Sequence, residues 1–432
     1  MRKAAFYTLG CKVNQYDTES VLEDFKAEGY QIVDFNDFAD VYVVNTCTVT
    51  HLSDRKCRQM LRKTKKINPE SILVAMGCYA QIAGDGIKEQ VDEIDIIVGT
   101  NKRSQIAQLV REYYAGINKE INLVSDIMTV DEFEELKISD MGERTRVYLK
   151  IQEGCNNYCS YCIIPYVRGK IRSRKEDQVL EEALRLSQIG FKEIVLTGIH
   201  VASYGKDLGN TSLIELLKKV HEIPDIKRIR MSSIEPLVIT DTFIREINNM
   251  PKLCKHFHLS LQSGSESVLE RMNRKYTKAE YKESVAKLRS IWPEVAITTD
   301  IIVGFPGETD DEFSETLDFV KELQLAQIHI FPFSPRIGTP AASMGNQVES
   351  HIKDYRVKVL SAVEKDLRKA FMINCLNKQA EVLFEDYQDH ILTGYTSNYL
   401  KVRVPSEVNL ENTIARVVID KLNNDELIGH MQ

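Results

Sequence analysis

The chain has 432 residues, enough for two or three domains. A hydrophobic share of 43%, a charged share of 28% and a net charge of −7 describe an ordinary acidic globular protein, so any RNA contact must rest on local basic patches. The opening Met1-Arg2-Lys3-Ala4-Ala5-Phe6-Tyr7 is too short an apolar run for a signal peptide, and no stretch is apolar for about 18 residues, so a cytoplasmic protein with no membrane partner is expected.

In chain order, residues 3–9 read as a buried strand ended by Gly10-Cys11, and Asn14 to Glu28 as a helix with Val21, Leu22 and Phe25 on one face. A second strand, Val41 to Asn45, ends at Thr46-Cys47. A third, Ile72 to Met76, ends at Gly77-Cys78. A fourth, Ile94 to Val98, precedes a helix over 102–114. Strands alternating with helices predict an open parallel α/β sheet over 1–116. Cys11, Cys47 and Cys78 then share one address, the carboxyl edge of that sheet, where ligands bind. Three thiols meeting there make a metal site; three buried inert cysteines are the alternative. The helix predicted over 53–67 carries Arg55, Arg58, Arg62 and Lys65 on one face, with Cys57 and Leu61 opposite as packing. That face suits RNA phosphate or is simply solvated.

Residues 117–143, with Glu132, Glu134, Glu135 and Asp140, read as a polar connector. A second domain over 144–374 opens with a strand at 147–152, followed by strand candidates at 193–197, 227–234, 255–262, 295–303 and 327–333. Helical stretches separate them, the last opened by a capping box of Thr309 and Glu312. Six such units predict a partial (β/α)6 TIM-like barrel whose function sits at the carboxyl strand ends. A long helix over 349–374 leads to short, closely spaced strands in 375–432, which predict a small β-barrel.

The first of these strands feeds Glu153-Gly154-Cys155-Asn156-Asn157-Tyr158-Cys159-Ser160-Tyr161-Cys162. Nine cysteines, an odd number in a large chain, argue for metal or redox chemistry rather than disulfides. Three thiols within eight residues suit soft metals, and no fourth Cys or His follows nearby. Structural zinc would want four ligands. A three-thiol set leaves one metal corner open. After the motif, Arg168, Lys170, Arg172 and Arg174 offer phosphate contacts or a solvated basic loop.

The Cys-x₃-Cys-x₂-Cys spacing resembles the signature of radical S-adenosylmethionine (SAM) enzymes. With Thr8-Leu9-Gly10-Cys11-Lys12-Val13-Asn14-Gln15, Asn45-Thr46-Cys47-Thr48-Val49-Thr50, Gly77-Cys78-Tyr79-Ala80-Gln81 and the stretch from Gly154 to Arg174, nearly the whole chain resembles the radical SAM methylthiotransferases. Cys11-Lys12-Val13-Asn14, Arg55-Lys56 with Arg58-Gln59, and Lys150 to Asn157 look like the branch acting on N6-threonylcarbamoyladenosine beside the tRNA anticodon. Branches acting on isopentenyladenosine in tRNA or on a ribosomal-protein aspartate are the alternatives within the family. A zinc-stabilised, non-catalytic RNA-binding protein is the alternative outside it.

The resemblance implies two [4Fe–4S] clusters and SAM as cofactors. Cys155, Cys159 and Cys162 would hold the radical cluster, whose open iron binds SAM and generates a 5′-deoxyadenosyl radical. Cys11, Cys47 and Cys78 would hold an auxiliary cluster that carries the sulfur. The target, adenine C2–H, is unactivated, so no side-chain base removes it at neutral pH; hence the radical. The implied partners are a tRNA anticodon arm rather than DNA, and an electron donor such as flavodoxin or ferredoxin. The implied C-terminal domain is a TRAM-like RNA-binding barrel. Gly198, Glu235, Gln262 and Asp300, each at a strand's carboxyl end, are the candidates for SAM contact, with strand-end hydrogen bonding or capping as their other role. The family's usual glycine-rich pair and acid after the second strand are replaced by Leu196-Thr197-Gly198-Ile199-His200. Lys12, beside a cluster cysteine, is the candidate reader of the threonylcarbamoyl carboxylate; a solvent-facing lysine is the alternative.

Overall fold

Alternation of apolar side chains across three central strands builds the first domain. The computed structural model describes residues 1–117, 121–138 and 145–432. Strands β1 (Lys3–Thr8), β2 (Gln31–Val33), β3 (Val41–Thr46), β4 (Ile72–Gly77), β5 (Ile96–Val98) and β6 (Ile121–Asn122) form one parallel sheet in the order β2-β1-β3-β4-β5-β6. Val41 and Val43 of β3 pack into the core on one face, and Tyr42 and Val44 into the core on the other. This explains why β3 and β4 are buried throughout. Helices α1 (Lys12–Ala27), α2 (His51–Ile67), α3 (Cys78–Ala83) and α4 (Ile106–Tyr114) cover the sheet. The Thr50 hydroxyl starts α2 by accepting from the Ser53 amide at 3.1 Å.

The two edge strands were absent from the sequence reading because runs of two or three residues carry no periodicity. β6 lies within the expected connector, and Leu136 and Ile138 from the same stretch pack into the core of the second domain. This segment is therefore stitched to both domains. Asp140 and the expected 143/144 boundary lie outside the described residues.

The second domain carries β7 (Arg146–Glu153), β8 (Arg172–Ser173), β9 (Glu193–Gly198), β10 (Arg228–Met231), β11 (His256–His258), β12 (Ala296–Val303) and β13 (Gln327–Pro332). They form two sheets, β10-β9-β7-β8 and β11-β12-β13, joined by the single bridges Ile229–Leu253 and Ile234–Leu259. The result is an open barrel of six parallel strands, with β8 turned back antiparallel on β7. Helix α1 of the first domain packs on β7 and β9, and its Tyr16 joins the barrel core.

The chain ends in a closed five-stranded barrel, β14 (Gln379–Gln388), β15 (Ile391–Thr396), β16 (Lys401–Pro405), β17 (Ile414–Asn423) and β18 (Glu426–Met431), ordered β14-β15-β16-β18-β17 around its own core. It is fastened to the amino-terminal ends of the larger barrel's strands. Arg228 donates to the carbonyls of Tyr395 (2.8 Å) and Glu381 (2.6 Å), and Arg230 to that of Ser397 (3.2 Å). Among the described residues, no helix is long and apolar enough to cross a membrane.

Candidate metal centre and active cavity

Each set of three cysteines is placed by backbone that only glycine tolerates. Gly77, before Cys78, has φ +94°, and a Cβ there would lie 2.3 Å from the Asn45 side chain. Gly154, before Cys155, has φ +74°, and a Cβ would strike the Lys170 carbonyl at 1.9 Å. These turns swing the thiols off the strand ends. Cys11, Cys155, Cys159 and Cys162 line one cavity of about 540 Å³, with Gly198, His200, Glu235, Gln262 and Arg274. Cys11 and Cys47 line an adjoining hollow. Arg168, Cys47 and Cys11 all lie close enough to Cys78 to act on its titration, so the first three thiols converge. All nine cysteines are free.

Around the second set, Glu235 is the organising group. It accepts from Asn157 Nδ2 at 2.6 Å, inside the cysteine loop, and pairs with His200 Nε2 and Arg274, each at 3.1 Å. Burial alone would raise its pKa, but His200, Arg274 and Asn157 outweigh that and pull it down to about 2. The loop after β9 presents His200, which grips Glu235 from beyond the end of β10. Arg274 also donates to Cys159 Sγ at 3.1 Å. Among the described residues, Thr197 Oγ1 and Ser232 Oγ are buried without partners, and both residues line the cavity. Such groups await a polar ligand.

Around the first set, Arg168 Nε donates to Cys78 Sγ at 3.2 Å. The same guanidinium holds Glu153 (2.6 Å), Asp17 (3.1 Å) and Asn14. Lys150 joins Asp17 (2.6 Å) and Glu153 (2.7 Å), and Arg103 joins Glu153 (3.2 Å), Glu134 (2.9 Å) and Asp17. This buried ionic seam is the junction of the two domains. A second tie runs from Arg336 to Asp54 and Thr48, each at 2.6 Å.

The seam corrects the reading of the basic stretch after the motif. Arg168, Arg172 and Arg174 are not phosphate contacts; each is at most 3% exposed. Arg172 donates to the Arg168 carbonyl at 3.0 Å, and Arg174 pairs with Glu135 at 2.8 Å and with Glu182. Alternating arginines look solvated in sequence because their acids come from other elements, among them Asp17 and Glu135. Lys170 alone of the four reaches the surface.

The basic face of α2 divides. Arg58 donates to the Tyr79 hydroxyl at 3.0 Å, and Lys65 pairs with Asp95 at 3.1 Å. Arg55 and Arg62 remain exposed, Arg62 with one bond to the Gln90 carbonyl. Cys57 does more than pack: its sulfur accepts from the Cys47 amide and donates to the Cys47 carbonyl, both at 3.3 Å. Asp300 lines a neighbouring pocket with Cys162 and Gln262, and sits 3.2 Å from His258. Lys12 does not face bulk solvent; it lines the cysteine cavity.

The profile of the Radical SAM superfamily matches residues 149–320, and that of Uncharacterized protein family UPF0004 matches residues 3–99. A Bacillus subtilis protein named threonylcarbamoyladenosine tRNA methylthiotransferase MtaB is 42% identical over 100% of this chain and 99% of its own length. An Acetivibrio thermocellus protein named tRNA-2-methylthio-N(6)-dimethylallyladenosine synthase is 36% identical, covering 98% of this chain and 89% of its own. The chain belongs to the radical SAM methylthiotransferase family. Among solved structures, the radical SAM methyltransferase TsrM of Kitasatospora setae superposes with a TM-score of 0.56 at 13% identity, covering 79% of this chain and 77% of its own, a likeness of fold.

The residues of this methylthiotransferase fit the cofactors of its family, SAM and [4Fe–4S] clusters. Burial pushes the Cys155 thiol up to about 11 and those of Cys162 and Cys78 up to about 12, so binding iron must displace their protons. Each thiol set carries an arginine N–H on one sulfur, the contact that stabilises a thiolate ligand. Asn157, His200 and Arg274 escaped the sequence reading. Asn157 and His200 stand inside stretches the sequence singles out and Arg274 in a loop outside them, and only their spatial meeting at Glu235 marks all three.

Proposed function

We propose that this chain adds a methylthio group to C2 of N6-threonylcarbamoyladenosine in tRNA, in the cytoplasm. The observation that supports it is that Cys11, one of the first three converging thiols, lines the same cavity as all three thiols of the second set. When bound, the clusters and SAM supply the radical, the sulfur and the methyl group. Cys155, Cys159 and Cys162 would hold one cluster, and Cys11, Cys47 and Cys78 the other. Gly198, Glu235 and Gln262 are the groups offered to SAM from the cavity wall, with Asp300 in the next pocket. Glu235 also fixes the cysteine loop through Asn157. Arg55 and Arg62 suit phosphate, which positions RNA without reading bases. Exposed Tyr158, Tyr166 and Phe331 offer faces for stacking near the cysteines. An external one-electron donor completes the reaction.

The substrate rests on the Bacillus subtilis relative and on a second of the same name from Aquifex aeolicus, 38% identical over 93% of this chain. The Acetivibrio thermocellus relative gives weight to dimethylallyladenosine as the other base. Mass spectrometry of tRNA nucleosides from a strain lacking the gene separates them. Loss of the methylthio form of threonylcarbamoyladenosine, with the parent nucleoside accumulating, is the expected result. Loss of the methylthio dimethylallyl nucleoside instead would replace this substrate with the other.

A further inference from the structure

Below the cysteine cavity, inside the open barrel, lies a second chamber of about 330 Å³. Its walls include Arg146, Tyr148 and Arg230 of the barrel and Tyr399 of the C-terminal domain. Lys12 lines both spaces and forms their shared wall. The charge count of this chamber does not close. Arg146 pairs with Glu385 at 2.9 Å, and Arg230 with Glu193 at 2.7 Å. Glu193 already serves two arginines, Arg228 being 3.7 Å away. Among the described residues the Lys12 ammonium has neither a hydrogen bond nor an ion pair; Glu193 attracts it only from beyond contact distance. A half-buried ammonium whose only attracting acid is already shared by two arginines is costly, and an anion entering the chamber would relieve it.

The geometry points to Lys12 as the group that binds the carboxylate of the substrate's N6 substituent, with the chamber below as the space that receives it. This rests on the reading of threonylcarbamoyladenosine as substrate. C2 and C6 of adenine flank N1, so a base presenting C2 to the cysteines carries its N6 group away from them. Such a group ends in one carboxylate, matching the one cation of the chamber that has no ion pair among the described residues. A dimethylallyl group would place only hydrocarbon beside that ammonium. The chamber's size falls in the range of small-ligand sites, about 300–1,000 Å³.

The test is anaerobic equilibrium binding of the reconstituted full chain to three anticodon stem-loops. One carries threonylcarbamoyladenosine, one its methyl ester and one unmodified adenosine. Wild type should prefer the free acid to the ester by about tenfold, the 1.4 kcal/mol of a charge-assisted contact. Lys12→Ala should bind all three within about twofold of one another, and Lys12→Arg should restore the preference. Iron content and the cluster absorption spectrum check that each variant still carries its clusters. Wild type binding ester and acid alike, while still preferring both to adenosine, would overturn the carboxylate contact but leave the substrate reading intact. Retained acid preference in Lys12→Ala would overturn the role of Lys12. A wild type indifferent to the whole modification would overturn the substrate reading, and this inference with it.

Discussion

The two cysteine triads achieve similar donor sets by opposite routes. Cys155, Cys159 and Cys162 come from one loop, and their shape is held locally by Asn157, Glu235 and Arg274. Cys11, Cys47 and Cys78 come from three strand ends, and their geometry depends on the sheet order β1-β3-β4. The contiguous triad therefore needs little beyond its own barrel. The scattered triad needs an entire sheet, and its Cys78 is touched by an arginine from the other domain. Ligand spacing in sequence measures how much of the fold a metal site recruits.

The strongest way to break this comparison is to delete ligands. Replacing Cys155, Cys159 or Cys162 by Ala should abolish SAM cleavage, read as 5′-deoxyadenosine, while about four of about eight irons stay bound. Replacing Cys11, Cys47 and Cys78 together should also leave about half the iron, but preserve cleavage and abolish the methylthio product. Cleavage surviving in the first set would dissolve the distinction. Next, Arg168→Met should leave Asp17 and Glu153 with two cations, Lys150 and Arg103, in place of three and cost up to about 3 kcal/mol, seen by denaturant unfolding. An Arg274→Met variant probes the local brace; its loss should weaken SAM cleavage more than global stability.

Acid sharpens the contrast further. Glu235 is held at about 2 against an ordinary 4.5, so its stabilisation is complete above about 4.5 and is lost as pH falls towards 2. That is on the order of 3 kcal/mol. Glu235→Gln should flatten part of the acid limb of a stability–pH curve. Asp17 and Glu153 are also lowered, because Arg103, Lys150 and Arg168 outweigh the cost of their burial, so the rest of the limb belongs to the seam. An unchanged limb in Glu235→Gln would mean this carboxylate is not held by its partners. The smallest effect concerns Cys57→Ala. It should keep the full iron content and lower the melting temperature by a few degrees, since Cys57 braces the Cys47 backbone rather than binding metal. Iron loss as severe as in Cys47→Ala would make Cys57 a ligand.

The placement of the six cysteines, three at strand ends and three in one loop, was legible because strand-end position and tight spacing are local signals. So were the two α/β units and the terminal barrel, whose strands and helices are long enough to show their periods. The arginines at 168, 172 and 174 were not. What decides whether a cation is solvated is the location of acids; Asp17 and Glu135 lie 151 and 39 positions from their arginines, and even Glu182, eight positions from Arg174, sits on the following helix. Glu235 was found as a strand-end acid, but its grip on Asn157 was not, since that bond spans 78 residues. Gln262 holds a left-handed backbone, φ +72°, which its residue type does not announce.

The ionic seam also sets an order of events during synthesis. Asp17 precedes Lys150 by 133 positions and Arg168 by 151. At about 5–20 residues per second, the ribosome takes on the order of ten seconds to travel that distance. Throughout it, the nascent first sheet can close its own two apolar faces, but Asp17 must stay in water and Cys78 lacks its arginine. The clasp between the halves shuts only after the contiguous cysteine loop has been made. Until then, the thiols of the scattered triad stand open to whatever delivers their iron and sulfide.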